Sequence, residues 1–301
     1  MFAVPMPQHG RAPVPAHHRP AQSRRQGLTP VRGFPFAVFA SEHSSAAATR
    51  IALRAQDASD LLRDVLGVAP HLSLRVLDRR SWAAHAEIAS YGVTHVAGNG
   101  DLVVGVTPAD AWHGVSRYLA RNLPARQLAQ LVDVHGADPG DPRGPALDVL
   151  AESLIAHEVA HVLVDQQRVV FPSRWLEEAF ANYVLVAVLG TNDPAGLRLL
   201  GSLAEAARAL DAGMPTLAEF ERGSSRTDVA SSVLAELAIT RAVYAAYATR
   251  DTVPLAELFE ALRASADPDA DWELGRMFVA GLHPSIAAIP AAFATPVGLA
   301  A

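Results

Sequence analysis

The spacing of hydrophobic residues changes several times along the chain, and each change marks an element. From Phe34 the chain turns apolar, and the short run Phe36 to Ala40 reads as a strand ending at Ser41-Glu42-His43. Between Ala46 and Leu66 the apolar residues fall at helical spacing (Ile51, Leu53, Ala55, Ala58, Leu61, Leu62, Val65), and Gly67 supplies a C-cap. Leu72 to Leu77 alternates as a half-buried strand. Tyr91–Ala97 and Leu102–Val106 flank Gly98-Asn99-Gly100-Asp101, and Asn-Gly between apolar runs predicts a hairpin. This first part therefore reads as α+β with a small, mostly antiparallel sheet.

Helical periodicity then takes over. Pro108 to Asn122 reads as helix, and Asp138 to Pro145, with three Pro and two Gly, as a loop. One helix is expected from Asp148, a plausible N-cap, to about Val164 or Asp165, and another from Ser173 to Gly190. Further helices are expected over 194–212, 215–222, 227–249, 253–265 and 270–280. The domain reading is a flexible Pro-, Arg- and His-rich arm at 1–32, an α+β lobe at 33–190, an all-helical C-terminal lobe at 191–283 and an extended tail at 284–301.

Composition narrows the function. The net charge is −6, but residues 1–32 carry five Arg and no acid, which leaves −11 on the rest and argues against nucleic acid as a partner. All 25 basic residues are Arg, which excludes a phosphate-loop lysine, a Schiff-base lysine and a Ser–Lys dyad. There is no Cys, so any metal must sit on His, Asp and Glu. No apolar stretch approaches the roughly 20 residues that span a bilayer, so no membrane span is expected. Arg24-Arg25 and Arg32 precede the apolar stretch Phe34–Ala40, but it is short, contains Pro35 and lies far from Met1. A cytoplasmic location is expected over export.

The chemistry concentrates in Ala156-His157-Glu158-Val159-Ala160-His161. Residues four apart lie one above the other on a helix face, so both imidazoles can reach one ion at about 2.0–2.1 Å. Glu158 is turned about 100° from His157, which directs its carboxylate to a water rather than to the ion. The composition gives such a pattern a chance rate of roughly 2%. The following helix reads Trp175-Leu176-Glu177-Glu178-Ala179-Phe180-Ala181-Asn182-Tyr183.

Together these residues resemble the gluzincin metallopeptidases of the peptidase MA-like superfamily, the group of thermolysin-like and aminopeptidase-N-like enzymes. The resemblance covers about 34–265, with its specific motifs in 157–183. It implies one Zn2+ per chain held by His157, His161 and Glu178, with Glu158 as general base toward a peptide or protein substrate. Ala179 replaces the usual Gly. Asp165, four residues after His161, matches the thermolysin-like pattern, and is equally readable as a solvated helix end. Asn182 falls where such enzymes carry an acid that hydrogen-bonds a ligand histidine. The resemblance further implies an oxyanion-stabilising Tyr or His in the helical part, for which Tyr244, Tyr247 and His283 are candidates, although Leu234-Ala235-Glu236 stands where related chains place Tyr. It also implies an edge strand at Leu102–Val106 that binds extended substrate. The alternative is a catalytically weak zinc-binding protein that binds peptides or regulates. Retention of Glu158 and the lack of a fourth Cys or His ligand weigh against it.

Overall fold

The computed structural model describes residues 27–222, 229–264 and 283–293. Its first part is α+β, as expected. β1 (Thr29–Val31) and β2 (Ala37–Ala40) lead into the long α1 (Ser45–Leu66), followed by β3 (Ser73–Leu77), α2 (Arg79–His85), β4 (His95–Val96) and β5 (Leu102–Gly105). Gly67 closes α1 at φ 69° as the sequence required.

The five strands lie in the order β1-β2-β3-β5-β4. The sheet is mixed rather than mostly antiparallel: β2–β3 and β3–β5 are parallel, while β1–β2 and β5–β4 are antiparallel. The reason is connectivity. β2 and β3 are joined through α1, and β3 and β5 through the segment that contains α2, and such crossovers return the chain in the same direction. Only the Asn99-Gly100 turn makes the predicted hairpin, pairing His95 with Val103 and Val96 with Leu102. Two boundaries also move. β1 lies inside the stretch expected to be a flexible arm, whose residues 1–26 fall outside the described residues, and β5 is an interior strand with β4 outside it.

The helical part begins with α3 (Asp110–Asn122) and α4 (Ala125–His135). The Pro- and Gly-rich stretch expected as a loop forms a small hairpin, β6 (Ala137–Asp138) with β7 (Asp141–Pro145), packed on α3. A two-stranded ribbon has only edges, where proline is tolerated. The single helix expected from Asp148 breaks at Leu154 into α5 (Asp148–Ser153) and α6 (Ile155–Gln167). Then follow α7 (Arg174–Asn192), α8 (Pro194–Ala207), α9 (Leu217–Glu221), α10 (Val229–Arg250) and α11 (Val253–Ala264).

The stretch expected as an extended tail is helical over α12 (Pro284–Ala287) and α13 (Ile289–Ala292), whose Ile286 and Ile289 are buried in the common core and which pack on α10. The helix expected at 270–280 lies outside the described residues. One apolar cluster runs from Val38 to Phe293, so the sheet and the helical part share a core. Small residues on α1 (Ala48, Ala52, Ala55) let it pack against both α6 and α7. None of the described helices is long and apolar enough to cross a membrane.

Candidate metal centre

Helices α6 and α7 are apolar on nearly every face, the pattern of helices buried on all sides. They pack directly against each other. That packing makes any polar side chain between them expensive to bury unless it is paired. Three such side chains meet there: His157 (3% exposed), His161 (9%) and Glu178 (7%).

The three form a compact cluster. His157 Nε2 lies 2.9 Å from His161 Nε2, and Glu178 Oε2 lies 3.3 Å from His157 Nε2 and 3.6 Å from His161 Nε2. Tetrahedral bonds of 2.0–2.1 Å place neighbouring ligand atoms about 3.3 Å apart. The three separations straddle that value. Two ring nitrogens facing each other at 2.9 Å repel unless a proton or a metal ion stands between them. This buried group can hold a metal ion.

Electrostatics agree with the donor geometry. Burial pushes His157 down to about 4, so it is neutral at physiological pH and keeps a lone pair to donate. Burial opposes charge on His161 as well, but the carboxylates of Glu177 and Glu178 outweigh it and raise its pKa well above the ordinary range. Burial would also raise Glu178, yet its hydrogen bonds to the two imidazoles hold it well below the usual carboxylate value. A metal ion entering here therefore displaces a proton. Glu158 is not among the three converging side chains, and burial lifts its carboxyl to about 7.

Two neighbours were not singled out from the sequence for the positions they occupy. Glu177 places Oε1 3.2 Å from His161 Nδ1. It can fix the tautomer that leaves Nε2 free for an ion. Arg174 sets Nε 3.5 Å from Glu178 Oε1, stacks its guanidinium 5.0 Å from the centre of the Phe220 ring and donates from Nη1 to the Phe220 carbonyl at 3.4 Å. Both follow from helical phase, since Glu177 is adjacent to Glu178 and Arg174 one turn before it. The end of this helix is capped from outside: Glu221 of α9 accepts the N–H groups of Arg174 (2.8 Å) and Trp175 (3.1 Å), while Ser173 makes no side-chain cap.

The remaining sequence candidates are not gathered at the cluster. Asn182 donates from Nδ2 to Glu236 Oε2 at 3.0 Å, not to a ligand histidine. Asn182 Oδ1 and His157 Nδ1 are both buried with no hydrogen-bond partner among the described residues. Glu236 therefore occupies the role expected of a histidine, and burial together with the Glu178 charge raises it to about 8, mostly the neutral acid at pH 7. Asp165 is exposed at the end of α6, and Nδ1 of His161 is already taken by Glu177 from the opposite side.

Tyr247 packs its hydroxyl against Gly190, 12 residues past Glu178 and so about 18 Å further along α7. Tyr244 packs on Gly201 of α8, and His283 binds Thr249 and Ser285 as the N-cap of α12. These three serve packing and capping. β5 is not the outermost strand: β4 pairs with Leu102 and Val103, and only the stretch from Val104 on is left without a β4 partner. Comparison with family models, curated proteins and solved structures returns no match.

Proposed function

We propose that this chain is a zinc-dependent peptidase of the gluzincin type, with His157, His161 and Glu178 as ligands and Glu158 as general base. The observation that carries the reading is the buried His2Glu cluster with a second acid, Glu158, one residue past His157 on the same helix. A zinc ion bound there acts as a Lewis acid, acidifying water and polarising a carbonyl.

The chain's own residues supply the rest. His157 presents a neutral nitrogen, His161 would present one once an ion has displaced its proton, and Glu177 keeps the second ring oriented. Glu158, with its carboxyl near 7, is poised to take a proton from water and return it to a leaving amine. The apolar faces of α6 and α7 exclude bulk water on the inner side of the cluster. The substrate proposed is a peptide or protein.

One observation supports a second reading, a zinc-binding protein with weak or no catalysis: Tyr244, Tyr247 and His283 all pack elsewhere. Elemental analysis and hydrolysis of a peptide library by wild type, Glu158→Gln and Glu178→Ala separate the two. The peptidase reading expects about one zinc in wild type and Glu158→Gln, and cleavage by wild type alone. Zinc without cleavage in wild type selects the second reading. Undiminished zinc in a His157→Ala, His161→Ala double variant removes the metal assignment.

A further inference from the structure

Arg174 stands where helix stability alone disfavours it. A cation in the first turn of a helix faces the positive end of the dipole, an unfavourable placement. Its pairing with Glu178 runs in the weaker order, base before acid at i, i+4. The stabilisation of this helix end comes instead from the Glu221 carboxylate. Yet the guanidinium is held firmly, between the Phe220 ring, the Phe220 carbonyl and Glu178 Oε1. Its side chain is 22% exposed, and its contacts among the described residues are made through Nη1 and Nε, none through Nη2.

The charge around the cluster explains what such a group is for. Glu158, Glu177 and Glu178 are acids, and among the described residues Arg174 is the cationic side chain, apart from the histidines, within 4.0 Å of any of their carboxylates. When water adds to an amide carbon, a C–O bond forms, the carbonyl π pair moves onto oxygen, and the water's proton passes to Glu158. The resulting oxyanion needs a donor already in place, and the tyrosines and histidine expected from sequence are elsewhere.

We propose that Arg174 is that donor: its N–H groups not engaged by Phe220 and Glu178 bind the oxyanion of the tetrahedral adduct. On collapse, the pair returns to the carbonyl, the C–N bond breaks, and the proton moves from Glu158 to the amine nitrogen. The inference rests on the peptidase reading.

The test uses the full-length protein with Arg174→Met and Arg174→Lys. Arg174→Met is expected to melt like wild type, to bind one zinc with unchanged Kd and to lose about 10²- to 10³-fold in kcat with KM little altered. Arg174→Lys is expected to recover part of the loss. A phosphinic peptide, a tetrahedral anionic mimic that cannot be hydrolysed, should bind zinc-loaded Arg174→Met more weakly by the same factor. An unchanged phosphinic affinity overturns the proposal. So does a zinc Kd that weakens in step with kcat, which reduces Arg174 to a support for Glu178, or a loss restricted to peptides with a free C-terminal carboxylate and absent from their amides. If wild type binds zinc and the phosphinic peptide but cleaves nothing, the peptidase reading fails while the affinity comparison still decides the role of Arg174.

Discussion

Glu177→Ala tests whether the cluster is a metal centre without touching a ligand. Glu177 holds His161 Nδ1 at 3.2 Å, and loss of such an outer partner weakens metal affinity by about 10- to 100-fold, or about 1.4–2.7 kcal/mol. Its side chain is 36% exposed, so the ion pair itself contributes only about 0–1 kcal/mol to the metal-free fold. The two contributions separate in zinc-titrated thermal unfolding. At free zinc about 100-fold above the wild-type Kd, binding stabilises the fold by about 2.7 kcal/mol. A site weakened tenfold retains about 1.4 kcal/mol, and one weakened 100-fold about 0.4 kcal/mol. At about 2–4 °C per kcal/mol, the zinc-induced rise in Tm should shrink by about 3–9 °C while the metal-free Tm moves less.

Glu177 also helps keep the proton on His161, which competes with the ion, so removing it relieves some of that competition. The gap in Kd between wild type and variant is therefore expected to widen when pH is raised from 6.5 to 8. Glu177→Gln, which keeps an acceptor but not the charge, should fall between the two. A Glu177→Ala protein whose zinc Kd, measured against a competing chelator at both pH values, stays within twofold of wild type would refute the reasoning.

Two predictions concern the scaffold. Arg75 and Asp101 form a fully buried pair at 3.1 Å that ties the Asn99-Gly100 turn to β3. Asp101→Ala should cost about 3–5 kcal/mol in urea unfolding, and the apolar pair Arg75→Met with Asp101→Leu should recover much of it; a cost under about 1 kcal/mol would be inconsistent with a buried charge pair. Glu236 has its carboxyl raised by burial and by Glu178 to about 8, so the folded state holds a proton that the unfolded chain releases near 4.5. Its burial therefore reduces stability progressively as pH rises from about 4.5 to 8, by at most about 1.4 kcal/mol per unit, with no effect below that window. Metal-free Glu236→Gln, neutral throughout and still able to accept from Asn182, should show a flatter stability curve there, and an unchanged slope would place the titration on another group.

Local pattern carried further in some places than in others. The α1 helix and its Gly67 cap, the Asn99-Gly100 hairpin, and α7 with its Ser173 boundary were all legible, because helix periodicity, left-handed caps and tight turns depend on residues near in sequence. The direction of β2, β3 and β5 was not, since each strand reads alike whichever way its neighbour runs. Nor was the break at Leu154, where both flanking segments keep helical spacing. The hairpin Ala137–Pro145 and the helices at Pro284–Ala292 were hidden by proline, which signals irregular backbone even where short elements dock on a neighbour.

The metal cluster divides in the same way. Sequence alone determined that His157 and His161 share a helix face with Glu158 turned aside, because four-residue spacing is a property of the helix itself, whereas Glu178 was reached through the resemblance of its Trp175-Leu176-Glu177-Glu178 setting. Only the tertiary structure decided what surrounds them. Glu177 faces His161, Arg174 meets Glu178 over Phe220, and Asn182 turns to Glu236, while Tyr244, Tyr247 and His283 lie along other stretches of the helices. The pairings of Glu177, Arg174 and Asn182 reach residues 16, 46 and 54 positions away, and they depend on how α6, α9 and α10 are set against α7, which no local pattern encodes.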